Sequence, residues 1–260
     1  MFILANGAFK SGSTWMRNVL RLMTDYAEIP EQYQDPRFST WVDRYKLTSF
    51  LDNVDYSTTN YISKSHIYSP QIRDKILAHD NLYVFNISRD VRDVLVSYYY
   101  HLLRERRIRE GFDRFYWLLG RYKAYQIQQY HAVWDIGTPN IYVTSFEKMK
   151  SDFAAETAAM ADFLGLALTD EKVAFIQEET SLARQQKERG EDDKPEHERF
   201  FRKGIIGDWK NHFTVEQLED LQKIEADGLS FLDSVKYGVM FSSRQKFKEL
   251  VQPMTKSWRG

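Results

Sequence analysis

The stretch Phe2 to Leu20, FILANGAFKSGSTWMRNVL, limits the possible folds more than any other part of the chain. It opens on a short apolar run, passes through a turn containing Gly7 and Gly12, and ends on the start of an amphipathic helix. A strand, a glycine turn and a helix in that order make an anion cradle in α/β proteins. Backbone N–H groups converge there and the helix N-terminus adds partial positive charge. The separation of Gly7 and Gly12 fits the first part of the Walker pattern G-x-x-x-x-G-K-[ST]. The lysine does not fit. Ser13 follows Gly12, and the only lysine of the loop is Lys10. A Walker lysine reaches the terminal phosphates of a nucleoside triphosphate, whereas a lysine moved back into the loop points to a nucleotide whose reactive group lies elsewhere.

A chain of 260 residues accommodates one large α/β domain and buries roughly 70% or more of its unfolded surface. The predicted domain spans 1–260, with a core over about 1–232 and an extension over 233–260 that carries no clear signal. Net charge is −1, so nothing global favours nucleic acid or an anionic membrane, and any anion site must be local. The absence of cysteine excludes disulfides, thiolate metal sites and thiol nucleophiles, and fits a reducing compartment. The sequence shows no signal peptide and no apolar run of membrane-spanning length. A cytoplasmic protein is the expectation.

Along the chain, a helix is predicted from Ser13 to about Tyr26, followed by a loop-and-short-helix insertion over 29–54 that lies across one sheet edge. A short strand ends near Lys64-Ser65-His66, and 70–78 reads as a helix with Pro70 at its start. Leu82–Ile87 is nearly continuous apolar sequence, as in a central parallel strand. A helix capped by Asp90 follows, then one aromatic-rich helix over 112–135, a strand over 140–144 and helices near 154–164 and 170–179. Strands alternating with helices predict a mostly parallel central β-sheet flanked by helices, with ligands at the carboxyl ends of its strands. Residues 185–199, QQKERGEDDKPEHER, read as a mobile charged surface loop, and a helix from Thr214 to about Ala226 stops at Gly228.

Four short segments carry candidate chemistry. Lys10-Ser11-Gly12-Ser13-Thr14-Trp15 supplies a phosphate cradle, a cation and an indole for base stacking, or else a capped turn with Trp15 in the core. His66 sits at a strand end two residues from Lys64, where a neutral imidazole can take a proton from an acceptor; a hydrogen-bonded structural histidine fits equally. Arg89 and Ser97 lie along one side of a helix start and could grip a phosphate, although Arg89 could instead pair with Asp90 or Asp93. Arg202-Lys203-Gly204 places two cations beside a glycine that admits close backbone approach, between apolar Phe200-Phe201 and Ile205-Ile206 that pack it inward.

Together these segments resemble the cytosolic-type sulfotransferases, which use 3′-phosphoadenosine 5′-phosphosulfate (PAPS). The family's loop P-K-S-G-T-T-W is similar to Phe9 through Trp15, and its K-T-H segment to Lys64-Ser65-His66. Its R-x-x-x-D-x-x-x-S-Y-Y motif is matched by Arg89, Asp93, Ser97, Tyr98 and Tyr99. Its closing R-K-G-x-x-G-D-W-K-N-x-F-T is matched at every fixed position from Arg202 to Thr214. The resemblance implies a P-loop-like fold and transfer of a sulfuryl group from PAPS to a hydroxyl or amine of a small molecule, leaving adenosine 3′,5′-bisphosphate (PAP), with no metal required. It implies His66 as base, Lys10 neutralising the oxygen that bridges phosphorus and sulfur, and Lys64 holding the sulfuryl oxygens. Arg89, Ser97, Arg202, Lys203 and Gly204 would hold the 3′-phosphate, Trp15 would stack on adenine, and Thr180 matches a further nucleotide contact.

Several positions depart from the family pattern. Phe9 replaces the loop proline, Leu182 replaces a phenylalanine that packs on adenine, and Phe146 replaces a tyrosine near it. The acceptor pocket is expected to draw on Phe9, Trp41, Tyr45 and Tyr98, which favours a flat or apolar-surfaced acceptor. Lys210, Thr214, Val215 and Glu219 match the family's dimer motif K-x-x-x-T-V-x-x-x-E and imply a homodimer; an ordinary helix start capped by Thr214 fits them too. A P-loop nucleotide kinase would need lysine where Ser13 stands. A PAPS-binding module without turnover would not need both Lys10 and His66.

Overall fold

The computed structural model describes residues 1–36, 38–43, 46–54, 58–233, 235–237 and 239. Among these, seven strands form one sheet: β1 (Phe2–Gly7), β2 (Ala27–Glu28), β3 (Gln34–Asp35), β4 (Phe38–Val42), β5 (Tyr61–Ser65), β6 (Leu82–Ser88) and β7 (Ile141–Ser145). The order is β3-β4-β5-β1-β6-β7, with β2 also paired to β5. Every pairing is parallel except β3 with β4.

Strand β1 lies at the centre, and all six of its residues are buried. Period-two alternation sends Phe2 and Leu4 to one face and Ile3 and Ala5 to the other. Helices α3 (Pro70–Leu77) and α6 (Arg121–Trp134) cover the first face through Ile76, Ile127, Tyr130 and Trp134. The second face packs on α1 (Ser13–Thr24), α8 (Phe153–Phe163) and α9 (Asp170–Glu179) through Met16, Leu20, Met160 and Ile176. Burial on both faces is why the central strands read as continuous apolar runs.

Register positions the site. Asn6 pairs with Ser65, Gly7 with Ile87, and Ser88 with Ser145, so β1, β5, β6 and β7 end side by side. Lys10, His66, Arg89 and Phe146 follow these ends.

The insertion over 29–54 differs from its expected form. β4 and β3 extend the sheet at its edge, Trp41 pairs with Lys64 across β4 and β5, and α2 (Leu47–Asn53) buries Leu47 and Phe50. The five-residue FSTWV has β-prone residues but no period-two alternation, and is too short to stand out beside the prolines. The helix expected over 112–135 is α5 (Phe112–Phe115), a π-helical turn at Tyr116–Gly120, and α6. That turn swings the Tyr116 hydroxyl onto the Gln217 carbonyl at 3.0 Å and Asp220 at 2.8 Å, tying it to α11 (Val215–Asp227).

The charged run 185–199 is not a plain surface loop either. Its first residues complete α10 (Leu182–Glu188), and Glu191 is buried and accepts the Phe200 N–H at 3.1 Å. Arg199 donates to the Lys194 and Asp192 carbonyls at 2.8 and 2.9 Å. Glu191 and Arg199 are thus spent on nearby backbone, while Asp192, Asp193, Lys194, Glu196 and Glu198 stay exposed as the charged surface run was expected to be.

Candidate active site

The turn between β1 and α1 is built tightly. A Cβ on Gly7 would lie 2.5 Å from the Ser11 hydroxyl and 2.8 Å from the Ile87 carbonyl, so only glycine fits between β1 and β6. Gly12 sits at φ 105° and starts α1, while Lys10 holds a left-handed φ of 70°, a strain that non-glycine residues keep mainly at functional positions. The Ser11 hydroxyl donates to the Ala8 carbonyl at 2.6 Å, so Ser11 braces the turn from the buried side. Gly12, Ser13, Thr14 and Trp15 line the cleft instead. The first N–H groups of α1, which have no intrahelical acceptor, lie there.

His66 stands beside this turn. Its Nδ1 lies 2.6 Å from the Gly7 carbonyl, and because a carbonyl oxygen only accepts, Nδ1 carries the proton and Nε2 keeps its lone pair. The neighbouring residue holds the geometry: the Ile67 N–H donates to Asn6 at 3.1 Å, and Trp134 donates to the Ile67 carbonyl at 2.8 Å. Burial and then Lys64 push the imidazole well below its usual pKa, so it is a neutral base at any physiological pH. The rings of Trp41 and Phe9 meet it edge-on at 4.9 and 5.6 Å. Lys64 lies 3.6 Å above the Trp41 ring, and burial, then Lys10 and Arg17, hold its amine far below the usual lysine range.

On the far side of the turn, Arg89 does not pair with either candidate carboxylate. Asp90 is taken by Arg92, and Asp93 accepts the N–H groups of Gly207 and Trp209 at 2.7 and 3.0 Å. The Arg89 guanidinium rests 4.1 Å from the centre of the Phe146 ring and donates to the Ile205 carbonyl at 3.0 Å, leaving Nε buried without a partner. Phe146 thus serves as a platform for the cation. Asp93, on α4 (Val91–Arg104), thereby ties the segment around Gly207 and Trp209 to the helix that follows Arg89.

Ser97, Thr180, Arg202, Lys203 and Gly204 line the same cleft. Arg202 is ion-paired with Asp208 and, at 2.7 Å, with Glu196, and Lys203 meets Asp208 at 3.1 Å. The Thr180 hydroxyl donates to the Ile176 carbonyl at 2.8 Å, which leaves its oxygen as an acceptor. Trp15 stacks on Phe153 at 5.9 Å, meets Phe146 edge-on at 5.5 Å, and lines the cleft with what remains exposed.

The cleft measures about 1090 Å³ and joins all these residues into one site. Tyr98 stands behind Phe9, edge-on at 5.6 Å, and Tyr45 lies outside the described residues. Sequence reasoning missed Arg104, Arg189 and Phe200. Lys10, Arg104 and Arg189 surround the Phe200 ring at 4.8, 4.9 and 4.5 Å. Arg104 was detectable, since it lies two helical turns past Ser97 on the same face of α4; Arg189 was hidden in the charged run. Burial, followed by Arg104, Arg89, Arg202 and Arg189, lowers the Lys10 amine to about 7. A cleft that holds its lysines toward their neutral forms and leaves an arginine nitrogen unpartnered is suited to anions.

The family model for the sulfotransferase domain matches residues 3–233. Sulfotransferase 1C2 of Oryctolagus cuniculus is 24% identical over 253 residues, covering 85% of this chain and 81% of the relative. Sulfotransferase 2A1 of Homo sapiens is 25% identical over 234 residues, covering 83% and 79%. Among solved structures, mouse sulfotransferase SULT7A1 complexed with PAP aligns with a TM-score of 0.63 at 18% identity, covering 94% of this chain and 88% of that one. Retinol dehydratase in complex with androsterone and the inactive cofactor PAP aligns at 0.60 and 19% identity, covering 88% and 81%. Among the described residues no helix is long and apolar enough to cross a membrane. With the β1–α1 turn, the strand-end histidine and the cationic segments all opening on one cleft, the chain belongs to the sulfotransferase family.

Proposed function

We propose that the chain moves a sulfuryl group from PAPS to a hydroxyl or amine of a small-molecule acceptor, with His66 as general base. PAPS supplies a sulfuryl group on a good leaving group, the 5′-phosphate. The α1 N-terminus and Lys10 bind the phosphosulfate, and Lys64 takes the sulfuryl oxygens. Arg89, Ser97, Arg202, Lys203 and the Gly204 N–H hold the 3′-phosphate. His66 Nε2 accepts the acceptor's proton, and Lys10 carries positive charge toward the leaving oxygen. Positioning and preorganised charge supply most of the rate, as in phosphoryl transfer. The observation that carries this reading is the Gly7 carbonyl on His66 Nδ1, which leaves an available lone pair at the end of the strand next to Lys10. A screen of phenols, alcohols and amines with labelled PAPS tests it; PAP binding without transfer to any acceptor would overturn it.

Arg202→Ala tests the 3′-phosphate assignment. The guanidinium is already ordered by Asp208 and Glu196, so little entropy is lost when an anion arrives. Its removal is expected to weaken PAP by about 30-fold, the worth of one or two charge-assisted hydrogen bonds. AMP, which lacks the 3′-phosphate, should weaken by less than about threefold, and equal losses would refute the assignment.

We also infer a homodimer through Lys210, Thr214, Val215 and Glu219. All four are exposed, and Val215 retains 73% of its accessible surface at the start of α11. The Thr214 hydroxyl is occupied by the Gln217 N–H, which supports the helix start and leaves the strip intact. A patch this small makes a weak interface. Val215→Glu should leave only monomer by sedimentation at concentrations where the native chain dimerises; an unchanged sedimentation coefficient would dismiss this contact.

A further inference from the structure

The donor reading, on which this inference rests, spends Lys10, Arg89, Arg202 and Lys203 on phosphate and sulfate. PAPS brings about four negative charges at neutral pH. Eleven lysines and arginines line the cleft against three glutamates, so basic side chains remain beyond those four residues even with Lys64 held toward its neutral form. Among the basic residues left over, Arg104, the last residue of α4, and Arg189, just beyond α10, both lie against the ring of Phe200.

These two arginines are only partly satisfied. Arg104 meets Glu105 at 2.9 Å and donates to His101 Nδ1 at 2.9 Å; Arg189 meets Glu191 at 3.3 Å. Each guanidinium has five N–H donors, so both retain capacity for another acceptor. Their position points toward the acceptor. His101 packs on Phe9 at 5.1 Å, and Phe9 packs on His66 at 5.6 Å, so a short chain of contacts joins Arg104 to the base. Lys123 closes the other flank of Phe9. Its amine lies 5.8 Å from that ring and 5.0 Å from the ring of Tyr98, and its hydrogen bond goes to the neutral Gln126 at 3.1 Å. Burial alone lowers the Lys123 amine to about 8.

Cations on both flanks of the acceptor side repel an ammonium and leave a neutral acceptor nothing to neutralise. A carboxylate, sulfate or phosphate ester on the acceptor would form charge-assisted hydrogen bonds with the free guanidinium donors. We propose that the acceptor carries an anionic group, held by Arg104 and Arg189, while its nucleophile faces His66.

Matched acceptor pairs test this without turnover. The full-length chain saturated with PAP is titrated with 4-hydroxyphenylacetate against 4-hydroxyphenylacetamide, and with 3-hydroxybenzoate against 3-hydroxybenzamide. The carboxylate of at least one pair should bind about tenfold more tightly than its amide, the worth of one charge-assisted contact. The double variant Arg104→Gln, Arg189→Gln should narrow that preference to about twofold and keep PAP affinity within about threefold. Should the double variant fail to fold, each single variant must reduce the preference by about threefold. Equal binding within every pair, no binding of any member, or a preference that survives the substitutions overturns the proposal. So does a loss of PAP affinity as large as the loss of preference, which would place both arginines on the donor. Absence of sulfuryl transfer to every acceptor would instead count against the enzymatic reading, because the binding preference is measured with product in place.

Discussion

Replacing His66 by alanine is expected to lower the rate of sulfuryl transfer by about 10²- to 10⁴-fold, the ordinary worth of a positioned general base, or about 3–5 kcal/mol of barrier. PAP affinity should change by less than about threefold, because the imidazole's hydrogen bond goes to Gly7 of the protein. Single-turnover measurements with saturating PAPS separate the two effects. His66→Gln is the informative companion: its amide can donate to Gly7 but cannot take a proton, so it should restore stability without restoring rate. The pH profile adds a second check. Burial and Lys64 hold the imidazole pKa well below its usual value, so the rate should not fall as pH drops through 7 to 6 on account of His66. Unchanged turnover in the alanine variant would remove His66 from the reaction.

Lys10→Met should lower transfer by about 10²- to 10³-fold, comparable to the loss of one preorganised charge at a developing anion. It also has a thermodynamic signature. In the free protein the amine titrates at about 7, chiefly through burial and then through Arg104 and Arg89. A bound phosphosulfate or phosphate favours the ammonium form, so nucleotide binding above pH 7 takes up a proton. Affinity for PAP should therefore fall as pH rises above 7, by at most about tenfold per unit for one proton. Below pH 7 the amine is already charged and Lys10 contributes no slope. Lys64, also lowered by burial, adds a contribution of the same sign. Calorimetric titrations at pH 8 in buffers of different ionisation enthalpy count the protons. Lys10→Met should reduce the count by up to one, and an uptake identical to that of the native chain would exclude Lys10 from the anion's surroundings.

Most of the residues in these predictions could be named before any coordinate was known. Lys10, Gly12 and Trp15 sit in a strand–turn–helix whose geometry is local, and Arg202 to Thr214 is long enough to identify by pattern alone. The regular elements were also readable where burial imposed a period, as in β6, or where a cap announced a start, as at Asp90 and Thr214. Reading failed where a segment gains its structure from distant partners. Strand β4 is held by β5, with Trp41 opposite Lys64, and in the run 185–199 even the nearer bonds of Glu191 and Arg199 leave no mark on composition. Composition records polarity but not where each polar group finds its partner.

The site divides in the same way. Sequence alone determined which residues compose the turn between β1 and α1, because glycine placement and helix starts are decided within a few neighbours. Only the tertiary structure decided their chemical state. The proton of His66 is placed on Nδ1 by the carbonyl of Gly7, 59 residues earlier. Arg89 is left with an unpartnered nitrogen because Asp93 is spent on Gly207 and Trp209, more than 110 residues away in the chain. Lys10 is lowered to about 7 by burial and by four arginines, Arg104 on α4, Arg89 just past β6, Arg202, and Arg189 just past α10. Protonation depends on desolvation and on charges close in space, and spatial proximity of distant segments is what the packed parallel sheet creates.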